Sequence, residues 1–246
     1  MSPSTRYTND VRERFGYYAT WLPNIRIELG DVGAFDGVSF KRITSLTELK
    51  IPFARRLGLD RVDFTLTSSS GVSLDAKAGV AVGVGDSGAN KGQLAIQFGE
   101  QGAFVFRARQ CRVDELGDRL GLGATVVELC RAGMWDADWR IVDTIVHAES
   151  ATVIVSNSAN ASLSLSAASP LELSALANVD AGISVNAQAG DVLHFIAAAG
   201  LSPMFKVIGV KQSLFAKLFG GQMTFGGPGE QQTTDAFEDE DPFEQV

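Results

Sequence analysis

The stretch DWRIVDTIVHAESATVIVSNSANASLSLSA, Asp138–Ala167, decides the fold expected for this chain. Short runs of β-branched residues between polar turn residues predict three strands joined by tight turns. The three predicted strands are Trp139–His147, Ala151–Ser156 and Ala161–Ala167. The last one alternates plainly, because Leu163, Leu165 and Ala167 are separated by serines. Alternation with a period of two indicates strands that have one apolar and one polar face.

A second stretch, Val72–Val84, has the strictest alternation in the chain. Apolar residues occupy every second position, and Ser, Asp, Lys, Gly and Ala lie between them. The apolar set is Val72, Leu74, Ala76, Ala78, Val80, Val82 and Val84. This pattern predicts one amphipathic strand, longer than the usual length of about five or six residues. Further strands are predicted at Val62–Thr67, Gln93–Phe98, Ala103–Arg109, Gly182–Gln188, Val192–Ala199 and Phe205–Val210.

Helices are predicted in two places. Asn9 or Asp10 is a candidate cap for a short helix over residues 10–20. Residues Val113–Met134 predict one or two helices, capped by Asp114 and interrupted at Gly121 and Gly123. Strands and helices together predict an α+β fold, a mainly antiparallel twisted sheet with a few helices packed on it, in a single β-rich domain over residues 1–210.

The chain has 246 residues, of which 45% are hydrophobic, so it can bury a sizeable core. It has no run of 18 apolar residues, so no transmembrane helix is expected. The start of the chain lacks the apolar centre of a signal peptide, which favours a cytoplasmic location. Cys111 and Cys130 do not form a CxxC pair, so buried free thiols are expected.

The acidity of the chain is concentrated at its C-terminal end. The formal net charge is −8, and residues 230–246 contain seven acidic residues and no Lys or Arg. The rest of the chain is close to neutral, which argues against nucleic-acid binding. An amphipathic segment over residues 211–225 precedes this tail, with Leu214, Phe215, Leu218 and Phe219 on one helical face. Residues 226–246 are expected to be disordered.

The sequence contains no dense catalytic or metal-binding motif. His147 and His194 are the only histidines, and neither has the spacing of a metal site or of a catalytic triad. His194 is expected to be a core residue, and His147 a surface residue at a strand end. The glycines of GDVGAFDG do not match a phosphate-binding loop. We therefore expect no catalytic residues, no metal and no cofactor, and a protein that is not an enzyme.

The amphipathic strands have two interpretations. One face of such a strand normally packs on a core while the other faces water. The alternative is a strand of a membrane barrel, which needs roughly 9–11 residues with lipid-facing and lumen-facing positions in alternation. Residues Val72–Val84 satisfy that length.

The order of features from Arg61 to Val210 resembles the pore-forming N-terminal domain of gasdermins. Val62–Glu100 corresponds to the first hairpin region, Asp114–Met134 to the helix, and Asp138–Ala167 to the second hairpin. NAQAGDVLHFIAA corresponds to the glycine turn and apolar strand that follow. Within these, WRIVDTIVHAESATV is most similar to the strand that begins the second gasdermin hairpin.

The resemblance implies a soluble precursor whose strands insert into membrane lipid as a β-barrel, in a homo-oligomer. Bacterial gasdermins, which imply a role in bacterial defence, have short C-terminal inhibitory peptides that a partner protease removes. Here the inhibitory segment would be Leu214, Phe215, Leu218 and Phe219. The inserting strands would include Leu163 and Leu165 together with the apolar set from Val72 to Val84.

Two features depart from the gasdermin pattern. Many bacterial gasdermins have a lipidated cysteine near the N-terminus, but the first cysteine here is Cys111. The basic residues available for acidic lipids are scattered, namely Arg12, Arg14, Lys41, Arg42, Arg55, Arg56 and Arg61. The alternative function is a soluble, non-enzymatic β-rich binding or assembly protein whose acidic tail contacts a partner.

Overall fold

A computed structural model describes residues 2–22, 25–78, 92–167, 176, 183–211 and 242–246. The chain forms two compact units, each assembled from three segments. The first unit comprises Met1–Arg26, Leu59–Val113 and Val146–Met204, and the second comprises Ile27–Gly58, Asp114–Ile145 and Phe205–Val246. The predicted single domain over residues 1–210 stays a prediction.

The described residues form two α-helices and thirteen strands. The helices are α1 (Pro3–Phe15) and α2 (Arg119–Arg131). The strands are β1 (Tyr18–Ala19), β2 (Asp31–Phe35), β3 (Phe40–Ser45), β4 (Arg55–Leu57), β5 (Val62–Thr67), β6 (Val72–Ala78), β7 (Gly92–Phe98), β8 (Phe104–Leu116), β9 (Trp139–Ser156), β10 (Ala161–Ala167), β11 (Ser184–Ala189), β12 (Val192–Val210) and β13 (Phe243–Gln245). Neighbouring strands pair in antiparallel fashion. The predicted α+β class is therefore confirmed.

Helix α1 begins earlier than predicted. The Ser2 side chain caps it by accepting a hydrogen bond from the Thr5 amide, and Pro3 occupies the first turn, where its missing amide hydrogen does no harm. It ends at Phe15 because Gly16 adopts the left-handed conformation, with φ 72°. The predicted cap residues Asn9 and Asp10 therefore lie inside the helix. Asn and Asp side chains can cap a helix, but here the residues before Asn9 are already helical.

The core of the first unit lies beneath α1. Tyr7 and Val11 are fully buried. The Tyr7 ring packs against Phe104 and Phe106, with centroid distances of 5.1 and 6.1 Å. Burial of such apolar side chains supplies most of the stabilisation in a core of this type.

Strand β9 corrects the prediction of a turn at residues 148–150. It runs without interruption from Trp139 to Ser156. Ala148 and Ser150 are buried and Glu149 between them is exposed, which is the alternation of a continuing strand. Glu149 and Ser150, the polar residues that suggested a turn, therefore belong to the strand, where Glu149 is exposed and Ser150 is buried. The predicted break between Val192–Ala199 and Phe205–Val210 is also absent, because β12 spans both.

The start of α2 also differs from the prediction. Asp118, not Asp114, caps the helix by accepting a hydrogen bond from the Gly121 amide at 2.9 Å. Asp114 belongs to β8, where it pairs with Leu57 of β4. The edge pairing with β4 thus extends β8 into residues that have helical periodicity. Gly121 and Gly123 lie within one unbroken helix.

The last residues of the chain form a strand in the second unit, contrary to the predicted disorder of the tail. Residues Phe243–Gln245 form β13, which pairs with β12 in antiparallel register at Ile208–Val210. Phe243, an apolar residue beside the acidic run, is buried there. The rest of the tail and the inhibitory candidates Leu214, Phe215, Leu218 and Phe219 lie outside the described residues.

Candidate functional site

The first unit contains a four-stranded sheet in the order β11-β10-β7-β6. Strand β7 lies between the two alternating stretches that the sequence singled out. Its Ile96 pairs with Leu74 of β6 on one side and with Leu163 of β10 on the other. The two predicted amphipathic regions therefore belong to one continuous surface, which we call the two-faced sheet.

The pairing of β10 corrects the predicted second hairpin. In the described part of the chain, β10 pairs with β7 and β11, whereas β9 belongs to a second, nine-stranded sheet, which we call the other sheet. The hairpins of the two-faced sheet are therefore formed by β6 with β7 and by β10 with β11. The sequence could not distinguish these pairings, because several strands have the same apolar and polar alternation.

One face of the sheet is apolar and buried. Leu94, Ile96, Phe98, Leu163 and Leu165 each expose 1% of their surface or less. They pack in one cluster that also contains Ala103, Val105, Ile154, Leu176 and Val192. Because this face is buried in the first unit, the predicted inserting residues Leu163 and Leu165 are core residues in the fold described here.

The other face of the sheet is polar. One row across three strands consists of Ser73, Gln97 and Ser162, and the next consists of Asp75, Ala95 and Ser164. At the β10–β11 edge the Ser166 hydroxyl lies 2.9 Å from the Ser184 hydroxyl and from Asn186 Oδ1. The sheet therefore has the two chemically different faces that alternation predicts.

The edge strand β6 carries the remaining candidates. Val72 is partly buried against the apolar cluster, whereas Leu74 exposes 38% of its surface. Ala76 and Ala78 continue the register, opposite Leu94 and Gly92. Val80, Val82 and Val84 lie outside the described residues. Sequence reasoning did not include Leu94, Ile96 and Phe98 among the site residues, although their spacing of two was the available signal.

Each strand of the two-faced sheet continues a strand of the other sheet through a short connection, which we call a joint. The joints are residues 68–71, 99–103, 157–160 and 190–191. Backbone hydrogen bonds connect them to one another: Gly99 donates to Gly71 at 2.8 Å, and Asn157 donates to Asp191 at 2.8 Å. The polypeptide thus changes sheets four times at neighbouring places.

The histidines lie on β9 and β12 of the first unit. His147 is half-buried, not on the surface as predicted, and its Nδ1 lies 3.2 Å from the Ser202 hydroxyl. The Ser202 carbonyl accepts a hydrogen bond from the Thr20 hydroxyl, which ties this pair to the backbone of neighbouring strands. His194 is half-buried, and in the described residues its Nδ1 has no hydrogen-bond partner. The Ser202–His147 contact lies within the strands, and Ser202 itself is buried.

The two cysteines are buried free thiols, as expected. Burial raises the pKa of Cys111 to about 12, and the nearby Asp63 carboxylate adds to this effect. Burial also raises the pKa of Cys130 to about 11. Both groups therefore remain protonated near neutral pH, and a protonated thiol is a poor nucleophile and a poor metal ligand.

Within the described ranges, no three His, Cys, Asp or Glu side chains come together in a group that could hold a metal ion. The same ranges contain no helix with the length and apolar character needed to cross a membrane.

At least four of the basic candidates have contacts within the described residues, namely Arg12, Arg42, Arg55 and Arg56. In the second unit, Arg42 forms ion pairs of 2.9 Å with Asp31 and with Glu48. Its hydrogen bond lowers the pKa of Glu48. In the first unit, the Arg12 guanidinium lies 4.6 Å from the centre of the Tyr18 ring. Each of these arginines therefore has a protein partner already, and an acidic lipid would have to compete with it.

Comparisons with known proteins give a resemblance to solved structures and no sequence match. No family model matches the sequence, and no curated protein matches it. Among solved structures, the chain is similar to the cryo-EM structure of the gasdermin A3 membrane pore, with a TM-score of 0.30 and 10% sequence identity. The match covers 86% of this chain and 91% of that chain.

Proposed function

We propose that this protein is the precursor of a non-enzymatic, membrane pore-forming protein. After release of its C-terminal segment, the strands of the two-faced sheet would insert into membrane lipid as part of a β-barrel. Insertion would require several copies in a closed ring, because unpaired strand edges are not tolerated in hydrocarbon. The protein would be cytoplasmic before activation and membrane-associated afterwards.

The two-faced sheet is the observation that carries this proposal. Its apolar face, built by Leu94, Ile96, Phe98, Leu163 and Leu165, is continuous across two strands. Its opposite face carries Ser, Gln and Asp. A membrane barrel needs this same separation of an apolar face towards lipid and a polar face towards the lumen. In a membrane barrel the same residues would form the same two faces. The apolar face would exchange its contacts with the core for contacts with lipid.

The C-terminal end of the chain supports an inhibitory role for the released segment. Phe243 is buried, and β13 extends the edge of β12. The Lys211 amide also donates a hydrogen bond of 3.0 Å to the Pro242 carbonyl. Lys211 and Pro242, which flank residues 212–241 in the sequence, are therefore held together in the second unit. A protease that cuts within this segment would leave β13 attached only by its own contacts.

The direct test is dye release from vesicles that contain acidic lipid. A variant truncated after Lys211 lacks the inhibitory candidates Leu214, Phe215, Leu218 and Phe219 together with β13 and the acidic tail, and we expect it to release dye while the full chain does not. Truncation also removes seven negative charges, so a control is needed that changes charge alone. Replacing Glu238, Asp239, Glu240 and Asp241 with their amides reduces the charge and keeps Phe243. This control should not release dye.

Two results would contradict the proposal. A truncated protein that stays folded and monomeric and leaves vesicles intact would favour the alternative of a soluble binding or assembly protein. Equal dye release by the truncated protein and the charge-reduced control would assign the effect to charge and not to loss of β13.

A further inference from the structure

We infer that Arg6 of α1 clamps the base of the β6–β7 hairpin, and that loss of its contacts increases local opening of the two joints and of the strand residues beside them. Arg6 binds both joints through which the hairpin leaves the other sheet. The inference concerns a control point inside the first unit. It rests on the proposed function only for its consequence at a membrane.

One guanidinium group connects the helix to two distant chain segments. Arg6 Nη1 lies 2.9 Å from Glu100 Oε2, and Nη2 lies 3.0 Å from the Ser70 hydroxyl. Nη1 also approaches the Gln101 carbonyl at 3.4 Å. Ser70 belongs to the joint before β6 and Glu100 to the joint after β7. The Ser70 hydroxyl lies 3.2 Å from the same Glu100 carboxylate, which completes a three-residue network.

The network is more strongly held than a single surface ion pair. The Arg6 side chain is only 23% exposed, although Glu100 is 51% exposed. Hydrogen bonds from Arg6, and then from Ser70, lower the pKa of Glu100. Isolated exposed ion pairs contribute little, but a network with several charge-assisted hydrogen bonds contributes more.

Helix α1 is itself firmly anchored, so it can serve as the fixed side of this contact. Tyr7 follows Arg6 directly and is fully buried against Phe104 and Phe106. The first turn of the helix also lies on the joint at Gly102, which has φ 80°. A Cβ at that position would come within 3.2 Å of Arg6 Cδ and 3.4 Å of Pro3 Cα. Any other residue would be strained at this φ and would require the Arg6 side chain to shift by a few tenths of an ångström.

The second hairpin is coupled to the same place. The Gln101 side chain donates a hydrogen bond of 3.0 Å to the Asn157 carbonyl, in the joint before β10. The Gly102 amide donates to the Ser156 carbonyl at 2.7 Å. The joint that Arg6 binds is therefore also the joint that contacts the β9–β10 connection. Freeing residues 99–103 would loosen both hairpins at their bases.

Hydrogen exchange of the full chain tests the inference without any membrane. In Arg6→Gln the charge is lost, and we expect amides of residues 68–78 and 92–102 to exchange about fivefold to tenfold faster. Residues 105–111 of β8, which form the core beneath α1, should keep their exchange rates. Glu100→Gln should give the same pattern, and combining it with Arg6→Gln should add little, because the two residues act through one contact.

Arg14→Gln is the matched control, because Arg14 is exposed on the last turn of the same helix. It removes the same charge and should leave exchange at the joints unchanged. A uniform increase over the whole first unit would overturn the inference, since Arg6 would then contribute only to global stability. Unchanged exchange at the joints in Arg6→Gln would overturn it as well.

A vesicle experiment separates this inference from the proposed function. In the truncated protein, Arg6→Gln should shorten the delay before dye release. Faster exchange at the joints without dye release from any variant would support the Arg6 contact and contradict the pore. Dye release with unchanged exchange would support the pore and overturn the role of Arg6.

Discussion

At the residue scale, burial decides the chemistry of groups that look reactive in the sequence. Cys111 and Cys130 are both buried, and burial raises the pKa of each well above that of a free thiol. The sequence predicted buried free thiols because the two cysteines do not form a CxxC pair. It could not predict the environment of His147, because the partner residue Ser202 is distant in the chain.

The thiols give a prediction about reactivity. At pH 8 the native protein should react with iodoacetamide roughly 10²- to 10³-fold more slowly than a free cysteine, because the thiolate fraction falls as the pKa rises. The rate should increase as the pH approaches 11, first at Cys130. Mass spectrometry of the alkylated peptides measures each site, and the unfolded protein provides the rapid reference. Rapid labelling of either residue in the native protein at pH 8 would contradict the assigned burial.

At the element scale, strand and helix types followed from periodicity, whereas their ends depended on tertiary partners. Strand β10 has the predicted bounds Ala161–Ala167 because its alternation is regular and local. Helix α2 begins after Asp118, since pairing with β4 holds residues 114–116 in β8. The partner of a helix or strand is not visible in its own sequence. For the same reason the pairing of β13 with β12 could not be predicted.

The contact between α2 and the end of the chain gives a second prediction. A Cβ at Gly123 would lie 2.2 Å from Pro242 Cγ, so Gly123→Ala must displace Pro242. The helix itself should gain about 1 kcal/mol from the higher helix propensity of alanine. Displacing the Pro242 ring, and with it the buried Phe243, should offset that gain, so we expect unchanged or lower thermal stability together with about tenfold faster hydrogen exchange in residues 243–246.

Thr125→Ala is the control for that variant, because Thr125 is exposed on the same helix. It also introduces an alanine of higher helix propensity. It removes an exposed methyl group and a hydroxyl that donates to the Gly121 carbonyl within the helix, at 3.3 Å. It adds no atom near Pro242. If exchange at residues 243–246 is the same in both variants, the Gly123 contact does not hold β13 in place.

At the scale of the whole molecule, the two faces of the sheet provide a test that distinguishes the proposed pore from an ordinary half-buried sheet. Leu74 and Ser73 are adjacent and exposed on edge strand β6, on opposite faces. In the truncated protein, Leu74→Asp would place a charge against lipid in every copy, and we expect dye release to fall about tenfold or more. Ser73→Asp would place the same charge in the lumen and should preserve release.

Both substitutions are at exposed positions, so each should change the stability of the folded chain by less than about 1 kcal/mol. Thermal unfolding checks that requirement before the vesicles are compared. Equal dye release by the two variants would contradict the assignment of faces. Loss of dye release in both variants would show that a charge on β6 blocks release whichever face carries it.

The four joints have a consequence for the lengths that the chain can tolerate. Side chains alternate with a period of two, so removing one residue from a joint would reverse the parity of the strand beyond it. In the joint at residues 99–103, such a deletion would direct Gln93 and Gln97 into the core and Leu94 and Ile96 into water. Deleting or inserting two residues in this joint would keep each side chain of the strand on its own face. Joint length in this molecule is therefore constrained to odd or even values, in addition to the constraints that individual joint residues meet through their contacts.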